Sequence, residues 1–381
     1  MKSNSKYIAL AYGITFFVIE FLSRIILPQP VFSPRTFQHS DGLRTNKNYG
    51  TSVHSYFKRK KIKYNFGGLY SRINPKNQIS KEDIKEASKT CRFLILGDSY
   101  VFGWLVDYKD TFVYHLQKRI NSKSSKKIYF LNSARGGAGF DFYTAFTEKF
   151  KKEILKYDGL ILFSNSDDSQ RILRNNIYKV NEKNEVIRAN NKTSSNNLRQ
   201  LINKYRILNF SYSFLLENSN IMRIVHNLYI NGATKKEFNL TKDSITYKAP
   251  GVKYKNKKLI KDQKPSIKEI NFLKSLIQRF SENTSKIPTT IIYIGSSKID
   301  QLSGLNKFFY SSDGKKVLSD NNLDFDFSLL NKAPTYNPDK DLILGDWHPN
   351  EVGHYKIANH LIDSNHLFGL KRFVDRNCSV E

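Results

Sequence analysis

An α/β fold, a parallel sheet with helices on both faces, is predicted by three features of this 381-residue chain. Apolar runs alternate with amphipathic helices over most of its length. The runs are unbroken rather than alternating, as in strands covered on both faces. Each run also ends in glycine, serine, asparagine or aspartate, at the strand ends where ligands of such sheets bind. The first run is "CRFLIL", Cys91 to Leu96, followed by the amphipathic "TFVYHLQKRI". "KIYFLNS" is the second strand, ending at "ARGGAGFDF", and Tyr143 to Lys156 reads as a helix. "DGLILFSNSDD" is the third strand. After Pro265, "SIKEINFLKSLIQRF" is helical and "PTTIIYIGSS" is the fourth strand. "NEVGHYKIANHLI" closes the series as a helix with apolar positions at Val352, Tyr355, Ile357, Ala358 and Leu361.

The N-terminus carries a targeting signal. Tyr7 to Leu27 is 21 residues long and 16 of them are apolar or aromatic. At about 1.5 Å per residue such a helix matches a ~30 Å hydrocarbon core. Glu20 and Arg24 interrupt it four residues apart, near one end, where they can pair and snorkel. A cleaved signal peptide is the competing reading, but no small-residue cleavage site precedes Pro28 and Pro30. An uncleaved anchor is therefore expected. Flanking charge barely fixes its direction, because Lys2 and Lys6 precede the span while Arg35, Arg44 and Lys47 follow it.

Pro28 to Lys63, with its basic "KRKKIK", reads as an irregular connector, and Lys81 to Ser88 as a short helix. The formal net charge is +28, and half of it sits on Arg171 to Lys264, with 20 Lys+Arg against 6 Asp+Glu. That segment reads as an insertion between the third and fourth strands, with a helical pair around Leu198 to Ile230 and then a Lys-rich stretch. Such charge favours anionic partners, although a Lys- and Asn-rich composition also produces plain solvated surface. Two cysteines, Cys91 and Cys378, provide neither a disulfide framework nor a metal cluster, and their separation gives no reason to expect a pair.

Four polar groups gather at the strand ends. Ser99 follows the first strand in Gly97-Asp98-Ser99. Gly136, Gly137 and Gly139 follow the second, where glycine lets a backbone N–H approach a ligand. Asn165 and Ser166 follow the third and offer side-chain donors. Asp346 and His348 precede the last helix in "GDWHPNEVGH", close enough for the carboxylate to hold one ring nitrogen and leave the other for a serine proton. Each group alone is an ordinary turn or cap. Together they supply nucleophile, donors, base and orienter.

"LILGDSYVFGW", "FLNSARGGAG", "LILFSNSDD" and "DWHPNEVGHYKIANHL" resemble the four ordered blocks of the SGNH (GDSL-type) hydrolases, over about Cys91 to Leu367. "NFGGLYSR", Asn65 to Arg72, is similar to the segment that often precedes the first block in membrane-anchored bacterial members. The resemblance implies a three-layer α/β/α fold and Ser-His-Asp chemistry on acyl groups, without metal or organic cofactor. It implies Ser99 as nucleophile, His348 as base, Asp346 as its orienter, and the N–H groups of Ser99 and Gly137 as oxyanion donors. The chain departs from the family's Gly-x-Asn-Asp third block. A direct overlay on Asp167 puts Ser166 at the donor position, whereas the longer amide of Asn165 lies one residue earlier; Asn165 is preferred. Asp346 also stands one residue closer to His348 than the family's common Asp-x-x-His spacing, and Asp341 is a poor substitute.

The expected organisation is an anchor over 1–28, a lead-in over 29–90, hydrolase parts over 91–170 and 265–370, the insertion over 171–264, and a tail over 371–381. The expected function is a single-pass, extracytoplasmic esterase or O-acyltransferase acting on acyl esters, acetyl foremost, of an envelope polysaccharide. The insertion could hold an anionic polymer. A non-catalytic, membrane-tethered module for an acidic glycan is the alternative. Nucleic acid is not an expected partner, because no recognition motif accompanies the charge.

Overall fold

A computed structural model describes residues 2–381 apart from 30, 33–34, 40, 42, 56–60, 74–89, 123–126, 176, 184, 190–204, 234–263, 296–300, 328–335, 344–345, 364–372, 375, 377 and 379–381. The helix expected over Lys81 to Ser88 and most of the Lys-rich stretch of the insertion lie outside the described residues. The chain divides into two units. One comprises Met1–Arg35, Thr51–Lys63 and Ser194–Asn256; the other comprises Thr36–Gly50, Tyr64–Thr193 and Lys257–Glu381.

The larger unit is a three-layer α/β/α sandwich. Its five parallel strands are β1 (Thr90–Leu96), β2 (Lys127–Asn132), β3 (Gly159–Ser164), β4 (Thr289–Tyr293) and β5 (Asp324–Asp326). They pair in the order β2-β1-β3-β4-β5, with Leu94 opposite both Leu131 and Leu160. Every side chain of β3 is buried, as its unbroken apolar run predicts. Right-handed crossovers in this order place the helices that leave β1 and β2 on opposite faces. The order reverses at β1, so the ends of β1 and β3 flank the switch point where such sheets bind ligands.

The sheet is mixed rather than wholly parallel. The strand Ser71–Ile73 runs antiparallel beside β2, with Arg72 opposite Asn132. The strand Ile62–Gly67 pairs in turn with Ser71–Ile73. The lead-in is thus not the irregular connector that its prolines and lysines suggest. Ile62, Tyr64 and Phe66 alternate inward as one face of a strand, and the neighbouring basic run hides that period of two. The strands Thr36–Gln38 and Arg44–Asn46 form a separate hairpin.

Helices follow from spacing and caps. Ile267–Thr284 starts at a capping box formed by Ser266 and Glu269 and buries Phe272, Leu273, Leu276, Ile277 and Phe280. The final helix, Glu351–Asp363, differs from expectation. Val352 and Tyr355 are exposed, and the buried stripe is His354, Ile357, Ala358 and Leu361. A stripe at i, i+3, i+4 and i+7 needs an inward residue at 354, so a histidine occupies an apolar position. Its Nδ1 accepts the Phe112 N–H at 3.3 Å, and its ring stacks on Phe112. Cys91 and Cys378, which their separation in sequence gave no reason to pair, form a disulfide with Cα atoms 5.8 Å apart. It fastens the C-terminal segment to the start of β1.

In the smaller unit the helix Lys2–Ile26 packs on Asn220–Ala233, which follows Arg206–Asn218 after a single residue. These two helices are the pair expected in the insertion. The hairpin of Tyr178–Val180 with Val186–Arg188, also inside that insertion by sequence, belongs to the larger unit.

Burial lowers the His354 pKa to about 3, helped by the nearby charge of Arg72. The folded protein therefore keeps His354 neutral where the unfolded chain, with a pKa near 6.5, takes up a proton. Stability from this residue is present above about pH 6.5 and is lost as pH falls towards 3. Asp141, raised to about 6 by burial, acts with the opposite sign, its penalty easing as pH falls from 6 towards 3.8. The informative quantity is hence a difference between variants. Between pH 7 and 5, wild type should lose about 2 kcal/mol more stability than His354→Asn, measured by denaturant unfolding in detergent.

Candidate active site

The turn after β1 positions Ser99. At Gly97 (φ 158°) a Cβ would lie 2.3 Å from Val101 Cγ2 and 2.9 Å from the Phe163 carbonyl oxygen, so only glycine fits this approach. Asp98 then caps the short helix Ser99–Phe102, its Oδ1 accepting the Tyr100 N–H at 2.8 Å. Ser99 is the first residue of that helix. Its Oγ lies 2.7 Å from Nε2 of His348, a residue 249 positions away in sequence.

His348 belongs to the strand Asp346–Pro349, which pairs antiparallel with Leu342–Ile343. Its ring sits beside Tyr100 and Trp104, with centroids 5.6 and 6.2 Å away. Asp346 heads the same strand, but its side chain is not among those described. Asp341 is buried and committed elsewhere: its Oδ2 takes Lys356 Nζ at 2.6 Å and the Asn337 N–H at 2.7 Å. Burial opposes ionisation of Asp341, but the bonds from Lys356 and Asn337 outweigh it and hold the pKa below the usual carboxylate value.

Gly137, in the loop after β2, adopts a left-handed φ of 73° with open space where a Cβ would stand. Asn165 follows β3 and is buried. Its Nδ2 donates to Asp98 Oδ2 at 3.2 Å, and its Oδ1 accepts the Ser166 N–H at 2.7 Å. Ser166 Oγ turns to the same Oδ1 at 3.3 Å. The Asn165 amide is thereby fixed against the carboxylate that caps the Ser99 helix, with a second N–H on Nδ2 to offer.

Sequence reasoning missed Arg171, in the helix Asp168–Asn175. Its Nη1 donates to Asp98 Oδ2 at 3.0 Å, to Asp168 Oδ1 at 3.2 Å and to the Ala138 carbonyl at 2.7 Å. Asp168 also accepts the Asn165 N–H and the Tyr143 hydroxyl on Oδ2, both at 2.9 Å. The inward carboxylate of the third block is therefore Asp168, whereas the Asp167 side chain is nearly half exposed. Burial, and then the charge of Asp98, push Asp168 well above the ordinary carboxylate pKa, against the pull of Arg171. One guanidinium thus ties the loops after β1, β2 and β3 together. An arginine three residues after an aspartate on a short helix is the only signal the sequence offered.

Arg72, the last residue of "NFGGLYSR", is wholly buried beneath the turn that carries Ser99. Nη1 donates to the carbonyls of Phe102 and Gly103, each at 2.7 Å, and Nη2 donates to that of Val106 at 2.5 Å. Tyr64 stacks on the guanidinium, 4.6 Å from ring centroid to Cζ. Tyr64 also accepts the Leu105 N–H on its hydroxyl at 2.7 Å. The antiparallel strands therefore brace the segment that follows Ser99.

No family model matches the chain, and no curated protein matches it. Among solved structures, the chain is similar to a psychrotrophic esterase from Pseudoalteromonas at 9% identity and a TM-score of 0.37, covering 73% of this chain and 98% of that one. It is similar to a member of the lipolytic G-D-S-L family from Veillonella parvula at 10% identity and a TM-score of 0.33, covering 72% and 97%. An acetyl-xylooligosaccharide esterase from Geobacillus aligns at 12% identity and a TM-score of 0.34, covering 76% and 95%. Likenesses this distant carry no argument about chemistry, which rests on this chain's own residues.

Three substitutions separate donation from support. Asn165→Ala should lower kcat for an aryl acetate by about 10²–10³, the usual cost of one oxyanion donor, with Ser166→Ala changing it by less than about tenfold. The reverse order would assign the donor to Ser166. Arg171→Ala strands two buried carboxylates and should cost about 3–5 kcal/mol of stability in denaturant unfolding.

Proposed function

We propose that this chain is a membrane-tethered serine esterase or O-acyltransferase of SGNH type, working outside the cytoplasm on acyl esters of an envelope polysaccharide. The observation that carries the reading is the 2.7 Å contact between Ser99 Oγ and His348 Nε2 at the switch point of the sheet. His348 Nε2 takes the Ser99 proton as Oγ attacks an acyl carbonyl. The N–H groups of Ser99 and Gly137 and the Asn165 amide receive the tetrahedral oxyanion, and Asp346 orients the imidazolium. Collapse expels the alcohol, protonated by His348, and leaves an acyl group on Ser99. Water or a sugar hydroxyl then takes that group by the same steps in reverse.

The location is supported by two independent features. Lys6–Ile26 is a helix long and apolar enough to cross a membrane, with little of its surface covered by protein. The Cys91–Cys378 disulfide suits an oxidising compartment rather than the cytoplasm. An anchored enzyme outside the cytoplasm, with a formal net charge of +28, meets acylated anionic polymers at its own surface. The basic insertion is the part suited to holding such a polymer.

Two experiments test the reading. Full-length protein in detergent should react with a fluorophosphonate probe and hydrolyse a short-chain aryl acetate, and Ser99→Ala should abolish both without loss of fold. Unchanged turnover in folded Ser99→Ala would remove the mechanism; absent turnover in wild type with retained glycan binding would favour the non-catalytic module. For location, Ser312 is exposed at a helix start and the native cysteines are paired and buried, so Ser312→Cys provides one accessible thiol. A membrane-impermeant maleimide should label it in intact cells. Labelling only after lysis places the domain in the cytoplasm.

A further inference from the structure

The helices Arg206–Asn218 and Asn220–Ala233 lie inside the basic insertion, yet they present apolar side chains outward. Ile207, Phe210 and Phe214 follow one another at i, i+3 and i+7 along the first helix, and they are 79%, 71% and 56% exposed. Phe210 and Phe214 stack, with centroids 6.5 Å apart. On the second helix Val225 and Leu228 are 53% and 57% exposed. A soluble protein rarely leaves so many large apolar groups together in water.

Their occupant is indicated by a junction with the N-terminal helix. The first turn of Asn220–Ala233 has backbone N–H groups with no partner inside the helix. Glu20 of Lys2–Ile26 accepts two of them, from Asn220 at 2.6 Å and Ile221 at 3.1 Å, and the Ser219 hydroxyl at 2.9 Å. Asn220 returns the service. Its Nδ2 donates to the carbonyls of Ser23 at 2.9 Å and Leu27 at 3.0 Å, in the last turn and just past the end of the N-terminal helix. Arg24 bonds Glu20 at 2.8 Å and also donates to the Asn218 carbonyl. Each helix therefore caps the other, and the two charged residues that interrupt the apolar span are consumed in that junction. Glu20 stands six residues before the end of the helix, about 9 Å along its axis, which is interfacial depth for a crossing helix.

We infer that the two insertion helices lie in the headgroup–acyl boundary of the bilayer that Lys2–Ile26 crosses, with Ile207, Phe210, Phe214, Val225 and Leu228 towards the acyl chains. This rests on the anchor reading above and extends it. The second insertion helix packs on a helix long and apolar enough to cross a membrane, and amphipathic helices at such a boundary bury aromatic and aliphatic side chains in this way. The insertion then acts as a second membrane contact, reducing the freedom of the chain around its single span.

The test uses full-length protein reconstituted in phosphatidylethanolamine–phosphatidylglycerol vesicles that contain a lipid with a photoactivatable diazirine in its acyl chain. After irradiation, adducts are mapped by peptide mass spectrometry. Adducts should appear within residues 2–26 and also on 207–228. Adducts on 2–26 alone overturn the inference while leaving the anchor standing. No adduct on either segment overturns both, and protein–protein adducts through 207–228 between copies assign the face to a second chain instead. Glu20→Ala removes the cap on Asn220–Ala233, and should reduce adducts on 207–228 about fivefold relative to those on 2–26. An unchanged ratio shows that the junction does not hold the helices at the lipid.

Discussion

The Asp98 carboxylate is the point on which the arrangement of the strand ends around Ser99 depends. It is wholly buried, and each of its oxygens has a separate task. Oδ1 caps the helix that begins with Ser99; Oδ2 receives the Asn165 amide and the Arg171 guanidinium. Arg171 extends the connection to Ala138, beside Gly137. A buried ion pair adds little net stability compared with apolar packing, because desolvation offsets the attraction. Here it holds three separate strand ends in fixed relation, as catalysis by fixed donors requires. The arrangement also accounts for the aspartate of Gly-Asp-Ser, which touches no reacting atom in the proposed mechanism.

A second layer of support comes from the lead-in. Arg72 fastens the carbonyls of Phe102, Gly103 and Val106, and Asn132 at the end of β2 donates to the Val101 carbonyl. The turn carrying Ser99 is thus held from its own strand, from β2 and from the antiparallel strands. These carbonyls lie at the end of a short, buried helix and in the turn after it, where backbone acceptors need partners from elsewhere in the fold.

Much of this was legible in the sequence, for physical reasons that differ by element. The buried strands β1, β3 and β4 announced themselves because strands covered on both faces carry unbroken apolar runs, while β2, part-exposed on one face, carried a similar run. Their polar ends announced the site because a parallel sheet directs ligands there. The three-residue β5 gave no such run, and the antiparallel strand Ile62–Gly67 hid its alternation among lysines. Arg72 and Arg171 were invisible as supports, since a buried arginine and a solvated one look alike until the carbonyls and carboxylates around them are known. The Cys91–Cys378 pair was likewise hidden, because only the closed fold brings residues 287 apart in sequence together. The Glu20–Arg24 interruption of the apolar helix has its partner 200 residues away at Asn220, which no local pattern shows.

The central claim is that Ser99 becomes covalently acylated through His348. Rapid acid quench of the full-length protein with an activated acetyl ester, followed by peptide mass spectrometry, tests it most directly. The account predicts one acetyl group on the peptide that contains Ser99, located at Ser99 itself, and a greatly reduced yield in His348→Gln. Turnover of the ester with no acetyl group trapped at Ser99, or acetylation of Ser99 at an undiminished rate in His348→Gln, would contradict it.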